Sequence, residues 1–435
     1  MGGSWLALTL RFFALSTSRS TLREMRFLMT PVGSSGDVHP YIGIGRVLRA
    51  RGHDVVIVAA GSFEDVIRRA GLAFHPTVSA EEFHEFSKHP DLWHPRRGMQ
   101  LVLRSTAEKI EFAYRGLLEV YEPGTVLVGH GISFATRLLE ETHGAPAAML
   151  HLAPAVFRSD YQMPTLVPGL DASGLPRWAK RTIWWAADRF FLDPNIVPLL
   201  NRFRRELNLA PVSRVFRDWV HSPRRVIGLF PEWFAPPQPD WPAVLRLTGF
   251  PQYDESDQQQ LSPGLLEFLR QGTPPIVFTP GSANQQAGAF LRAAVEASAR
   301  LNRRAVLLTR YAAQLPVLPA HVHHEVFAPL SALLPRCAAL VHHGGVGTLA
   351  QGLAAGIPQL TMPMGFDQPD NTARLVRLGV AGWVGPSRFT GDRVARVLDR
   401  LLTDPQVASA CARWAEELKQ SAPLERTCDL LEELT

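Results

Sequence analysis

Between Met25 and Ala59 the chain runs through an apolar segment, a glycine turn, an amphipathic stretch and a second apolar segment, and few folds accommodate that order. Arg26-Phe27-Leu28-Met29-Thr30 reads as a buried strand that ends in the turn Gly33-Ser34-Ser35-Gly36. Val38 to Arg51 reads as a helix, with Pro40 near its first turn and Gly52 as its stop. Val55-Val56-Ile57-Val58-Ala59 repeats the strand signal. Strand, helix and strand in about 35 residues make a βαβ unit, which commits the chain to a parallel sheet with right-handed crossovers.

The second half repeats the alternation. Strands are expected at 276–279, 305–308, 326–327, 339–341 and 359–362, with a helix over about 287–301 and another after Gly347 that stops at Gly356. Two doubly wound α/β domains result. Between them, residues 230–242 hold five prolines in 13 positions, which reads as a stiff inter-domain linker. The expected organisation is therefore an arm over 1–24, an N-terminal domain over 25–229, a linker over 230–245 and a C-terminal domain over 246–415. A final helix over 416–435 packs back toward the first domain. Residues 1–24 hold a short apolar run broken by Arg11, too short to span a bilayer, and read as an upstream start or disordered arm; a peripheral anchor is the alternative.

Composition narrows the function classes. Apolar residues make up 46% of the chain and charged residues 20%, which fits neither wholesale disorder nor a polytopic membrane protein. The formal net charge is +5 with no basic run, so the sequence gives nucleic acid no footprint. Cys337, Cys411 and Cys428 form no CxxC pair, which points to a reducing, cytoplasmic setting without structural zinc.

In open α/β sheets ligands bind beyond the carboxyl ends of strands. Two loops there carry chemistry. His342-His343-Gly344-Gly345-Val346-Gly347-Thr348 sets three glycines and a hydroxyl between a strand and a helix, a geometry that offers backbone N–H groups to phosphate. Such turns are also common as plain connections. Gly33-Ser34-Ser35-Gly36-Asp37 places an acid between the first strand and its helix; Asp37 is either a helix cap or a general base. No GxxxxGK[ST] loop, Gly-x-Ser-x-Gly elbow or Asp-x-Asp pair is present, so the sequence nominates no P-loop, no serine nucleophile and no metal ligands. Phe157, Met163, Trp178, Trp184, Trp185, Phe190 and Phe191 cluster in sequence, as a second core layer or as the wall of an apolar pocket.

These residues resemble the nucleotide-sugar glycosyltransferases of the GT-B fold, two Rossmann-like domains facing a cleft. The resemblance spans 25–435 and is carried by Phe327-Ala328-Pro329-Leu330, the loop 342–348, Gly356-Ile357-Pro358, Pro363 and Phe366-Asp367-Gln368-Pro369-Asp370-Asn371. The Gly36-Asp37-Val38 turn is similar to the subgroup with aspartate at the base position, as in antibiotic and sterol glycosyltransferases. A narrower likeness, in Trp219-Val220-His221-Ser222-Pro223, the proline segment and Thr248-Gly249-Phe250-Pro251, is to the rhamnosyltransferases of rhamnolipid synthesis.

The resemblance implies a metal-independent, inverting hexosyl transfer with a nucleotide sugar, dTDP- or UDP-linked, as co-substrate and no cofactor. It implies that Asp37 is the base, that Phe327 stacks on the nucleotide base and that Ala328 meets its edge. Gly281, Ser282, His343, Gly345, Gly347 and Thr348 would hold the diphosphate, with Asp367 and Gln368 on the sugar hydroxyls. Gln351 stands where many UDP-glucose enzymes carry a glutamate for the ribose hydroxyls, which leans toward dTDP. The expected acceptor is apolar or lipid-like, such as 3-(3-hydroxyalkanoyloxy)alkanoate receiving L-rhamnose, and is met by His39, Phe157, Met163 and Trp184, with peripheral contact at the inner membrane. The alternative is a UDP-glucose-dependent enzyme acting on phenolic, sterol or natural-product acceptors. A nucleotide-sugar epimerase and an inactive sugar-nucleotide binder share the fold as competing classes.

Overall fold

A computed structural model describes residues 24–94, 97–167, 169–170 and 172–434; the arm expected over 1–24 lies outside them but for Glu24. Seven parallel strands form the first sheet: β1 (Arg26–Thr30), β2 (Asp54–Ala59), β3 (Ala73–Pro76), β4 (Val126–His130), β5 (Ala147–His151), β6 (Val226–Gly228) and β7 (Leu245–Leu247), in the order 3-2-1-4-5-6-7. Six more form the second: β8 (Ile276–Thr279), β9 (Ala305–Leu308), β10 (Val322–Glu325), β11 (Ala339–His342), β12 (Gln359–Thr361) and β13 (Ala381–Trp383), in the order 10-9-8-11-12-13.

Helices cover both faces of each sheet, so the strands are continuous apolar runs. In β1, Leu28 sits opposite Val56 on one side and Leu127 on the other. Phe27 and Met29 point to the face covered by Ile42 and Leu48 of the helix Ser35–Ala50, while Leu28 points to the face covered by Leu103, Tyr114 and Leu138. Each sheet reverses its strand order once, between β1 and β4 and between β8 and β11. Such switch points open crevices at the strand ends.

Two expectations change. The proline segment connects β6 to β7 within the first sheet, because Leu245-Arg246-Leu247 pairs in parallel with Val226–Gly228. A three-residue strand carries too little pattern to be seen beside five prolines. The segment also buries Phe230, Phe234 and Ala235 against Leu349, Leu353, Cys411 and Leu418, which makes it a packed seam between the two units. The strand expected at Val326-Phe327 is a loop instead. The strand lies earlier, at the polar run Val322–Glu325, which suits an edge position paired only with β9. The helix Pro423–Glu432 inserts Cys428 and Leu431 into the core of the first sheet, and Arg51 and His53 bond its Glu432 at 2.9 and 2.8 Å.

Candidate active site

Both switch points face one cavity of about 770 Å³. Asp37 and His130 reach it from the ends of β1 and β4, and Gly281, Ser282, His343, Gly345, Gly347 and Thr348 from the ends of β8 and β11.

Asp37 sits in the first turn of the helix Ser35–Ala50, and its Oδ2 accepts the Ser34 N–H at 2.7 Å and the Ser34 hydroxyl at 3.1 Å. That half of the carboxylate satisfies the helix start. Gly33 makes room for it: the residue has φ +138, and a Cβ there would overlap the carboxylate. Oδ1 stands 4.0 Å from His130 Nε2, and about a third of the Asp37 side chain (32%) remains open to the cleft. Burial raises the carboxyl above its ordinary value, against the opposing pull of His130 and the two Ser34 bonds. Asp37 is thus both a structural part of the turn and a carboxylate with a free, more basic oxygen.

Of the paired histidines, His342 is structural. It is buried, it bonds Gln359 Oε1 at 2.9 Å, and its Nδ1 accepts the Gly344 N–H at 3.1 Å, which fixes the turn. His343 faces the cavity between two glycines: a Cβ on Gly281 would come within 2.8 Å of its ring, and one on Gly345 within 2.5 Å. Burial lowers it to about 4, so the ring is neutral at pH 7, and its Nδ1 is buried with no partner. An unpaired buried ring nitrogen fits an anionic or hydroxyl ligand. Beside it begins the helix Val346–Ala354, whose first N–H groups have no intrahelical acceptor and whose dipole favours negative charge. A Cβ on Gly347 would lie 3.7 Å from the Gly36 Cα, so this helix start abuts the Asp37 turn.

Phe327, Ala328, Gln351, Asp367 and Gln368 also line the cavity. Gln368 Oε1 accepts the Met364 N–H at 2.8 Å, and Asp367 Oδ2 accepts from Asn371 Nδ2 at 2.7 Å. Burial, then the charge of Asp37, pushes the Asp367 carboxyl up to about 7. Its folded pKa exceeds the ordinary 3.8, so between these values the native state holds a proton that the unfolded chain has lost, and stability falls as pH rises across that window. Asp367→Asn keeps an acceptor for Asn371 and is expected to flatten the decline. Urea midpoints between pH 5 and 8 check this; an equally steep decline in the variant would contradict it.

The acceptor-side expectations divide. Trp184 lines the cavity, with its Nε1–H on the Ser159 carbonyl at 3.3 Å. His39 also reaches the wall, but its ring bonds Glu255 at 3.3 Å. Phe157 does not line it: the ring is 1% exposed and packs on Trp241 at 4.9 Å and on Phe230. Met163 is buried in a segment outside the lining, close in sequence to Thr165, whose N–H bonds Asp370 of the second unit at 2.9 Å. Both are packing residues because their segment crosses the seam. The apolar wall comes instead from Phe83, Phe86, Phe112 and Phe216, backed by the buried Leu103 and Phe134. Sequence reasoning missed these, although Leu103 and Phe112 lie on strongly amphipathic helices, Arg97–Glu108 and Ile110–Val120. It also missed His130 and His151, which end β4 and β5 and line the cavity, and Trp93, set edge-on to His343 at 6.4 Å and to Phe366 at 6.0 Å.

Two α/β units that turn their switch points on one cleft, a glycine loop and helix start opposite a carboxylate, define a glycosyltransferase of GT-B architecture. Residues 27–114 match the glycosyltransferase family 28 N-terminal domain, and residues 294–433 match the erythromycin biosynthesis protein CIII-like C-terminal domain. The chain is 31% identical over 436 residues to O-mycaminosyltylonolide 6-deoxyallosyltransferase of Streptomyces fradiae, covering 94% of this chain and 97% of that one. Among solved structures it superposes on the glycotransferase of kitacinnamycin with a TM-score of 0.71 at 22% identity, over 95% of this chain and 99% of that one. Glycosyltransferase VinC in complex with dTDP gives 0.66 at 20% identity, over 94% and 99%. The chain belongs to this glycosyltransferase family, and its co-substrate is a sugar nucleotide. Among the described residues, no helix is long and apolar enough to cross a membrane.

Proposed function

We propose that this enzyme transfers a 6-deoxyhexosyl group, L-rhamnose from dTDP-L-rhamnose, to the hydroxyl of an amphiphile such as a 3-(3-hydroxyalkanoyloxy)alkanoate. The observation that carries the reading is the apolar wall of Phe83, Phe86, Phe112 and Phe216, backed by Leu103 and Phe134, in the same cavity as Asp37. A hydrocarbon tail is the ligand such a wall desolvates without leaving polar groups unpaired. The sugar class is supported by the relative from Streptomyces fradiae, named for transfer of a 6-deoxyhexose.

In the reaction, the acceptor hydroxyl oxygen attacks the anomeric carbon as the bond to the diphosphate breaks. Asp37 Oδ1 takes the hydroxyl proton as it leaves in the transition state, because an alkyl hydroxyl is far too weak an acid to ionise beforehand. Charge that develops on the diphosphate meets the start of the helix Val346–Ala354 and the ring N–H of His343. The nucleotide base stacks on Phe327 with its edge at Ala328, Gln351 meets the deoxyribose, and Asp367 and Gln368 bond the sugar hydroxyls. A single displacement inverts the anomeric centre, and these groups provide the charge stabilisation without a metal.

A neutral Gln351 carboxamide loses little when one ribose hydroxyl is absent, so dTDP is expected to bind about as well as UDP, within on the order of 1 kcal/mol, about fivefold. Calorimetric competition measures this, and UDP binding ten times tighter than dTDP would overturn it. The second reading, a glucosyl or deoxyhexosyl transfer to a compact natural product, is favoured by the tylonolide-derived acceptor in the name of the 31%-identical relative. Mass spectrometry of products from dTDP-rhamnose and UDP-glucose, each offered with hydroxyacyl and macrolide acceptors, separates the two.

A further inference from the structure

The helix Arg177–Ala187 and the turn Asp188–Leu192 that follows it carry two unlike faces. Inward, Trp184 is buried and forms part of the cavity wall, and Lys180 donates to the carbonyls of Tyr161 and Ser173 at 2.8 Å. Outward, Trp178 is 71% exposed, Trp185 58% and Phe190 68%. Trp178 and Trp185 are seven residues apart and share one helix face. Phe190 meets Trp185 edge-on at 5.7 Å. Three large aromatic side chains held together in water mark an interaction surface.

Its charge identifies the partner. Arg177 lies over the Tyr161 ring at 4.0 Å and Arg189 lies 5.7 Å from the Phe190 ring, and neither forms an ion pair with a described residue. The carboxylate in this stretch, Asp188, is buried against Arg158, and Asp160 nearby is neutralised by Arg181 at 3.0 Å. Exposed aromatic rings on the same helix and turn as arginines with no ion-pair partner among the described residues match the boundary between acyl chains and anionic headgroups, where rings enter the apolar edge and guanidinium groups reach phosphate. A two-fold contact with a second copy would instead bring these arginines together, and among the described residues of this helix and turn no free carboxylate stands opposite them.

We propose that this face seats the enzyme on an anionic lipid surface. The same helix lines the cavity through Trp184, so the lipid-facing residues and the cavity wall lie on two sides of one helix, and the surface would deliver an amphiphile beside the cavity. The delivery role rests on the apolar-acceptor reading; the seating does not.

The test is sedimentation of the full-length protein with phosphatidylglycerol/phosphatidylcholine vesicles and with phosphatidylcholine vesicles, without donor or acceptor. The wild-type protein is expected to bind the anionic vesicles at least about tenfold better than the neutral ones, and to release in high salt. Arg177→Glu with Arg189→Glu is expected to lower anionic-vesicle binding about tenfold or more, and Trp178→Ser with Trp185→Ser to lower binding to both vesicles. Unchanged dTDP affinity in each variant shows that the fold is intact. Equal binding by wild type and variants, or no binding by the wild type, would overturn the proposal. So would a wild-type dimer that the tryptophan variant converts to a monomer in the absence of vesicles. Since no transfer is measured, failure of the acceptor reading leaves this result standing, and the reverse.

Discussion

An Asp37→Asn enzyme is expected to transfer sugar about 10²–10⁴-fold more slowly than the wild type, with affinity for the nucleotide nearly unchanged. Asparagine keeps an oxygen for the Ser34 N–H and hydroxyl, so the turn and the helix start survive. What disappears is the second carboxylate oxygen, the one left free toward the cleft and made more basic by burial. Because that pKa is raised, the wild-type rate is expected to begin falling with acidification at a higher pH than an ordinary carboxylate near 3.8 would dictate. Steady-state rates of the variant alongside dTDP titrations separate chemistry from binding. Near-full turnover would remove Asp37 from the reaction and turn attention to His130, 4.0 Å away.

Acceptor chain length is the second large lever. Each methylene buried against the wall of Phe83, Phe86, Phe112 and Phe216 contributes about 0.8 kcal/mol, so four extra methylenes are worth roughly 3 kcal/mol. This is on the order of a 100-fold rise in kcat/KM, levelling off where the pocket ends. A homologous series of hydroxyacyl acceptors, assayed below micelle concentrations, gives the slope. A flat series, or better turnover of short polar alcohols, would reject the lipid reading and favour a compact natural-product acceptor.

The sequence carried some strands well, because parallel strands buried on both faces are unbroken apolar runs: Arg26–Thr30, Ile276–Thr279 and Ala305–Leu308 fall where the pattern puts them, although no strand was expected at the equally apolar Val126–His130 and Ala147–His151. It failed where local pattern is weak. Leu245–Leu247 is too short to outweigh the prolines before it, and Val322–Glu325 is an edge strand with two histidines. Every donor-side candidate, from Gly281 to Gln368, lines the cavity, since those residues follow strands and the topology gathers strand ends at one crevice. The acceptor wall was poorly legible for the converse reason. Aromatic density in 157–191 flagged residues by composition, yet Phe157 packs into the seam, Trp178, Trp185 and Phe190 face outward, and only Trp184 among these five residues reaches the pocket. Which face of a helix meets a cavity depends on tertiary packing, and counting rings carries no such information.

In the proposed reaction, Asp37 and the glycine-loop helix, facing each other across one cleft, move a sugar from a nucleotide to an apolar alcohol in a single displacement. The most direct measurement is the anomeric configuration and mass of the product formed from dTDP-L-rhamnose and a 3-(3-hydroxyalkanoyloxy)alkanoate in the presence of EDTA. The expected product carries one added rhamnosyl group with the anomeric centre inverted relative to the donor, and one dTDP is released per transfer. Retention of configuration, or transfer that stops when divalent metal is chelated, would contradict this mechanism.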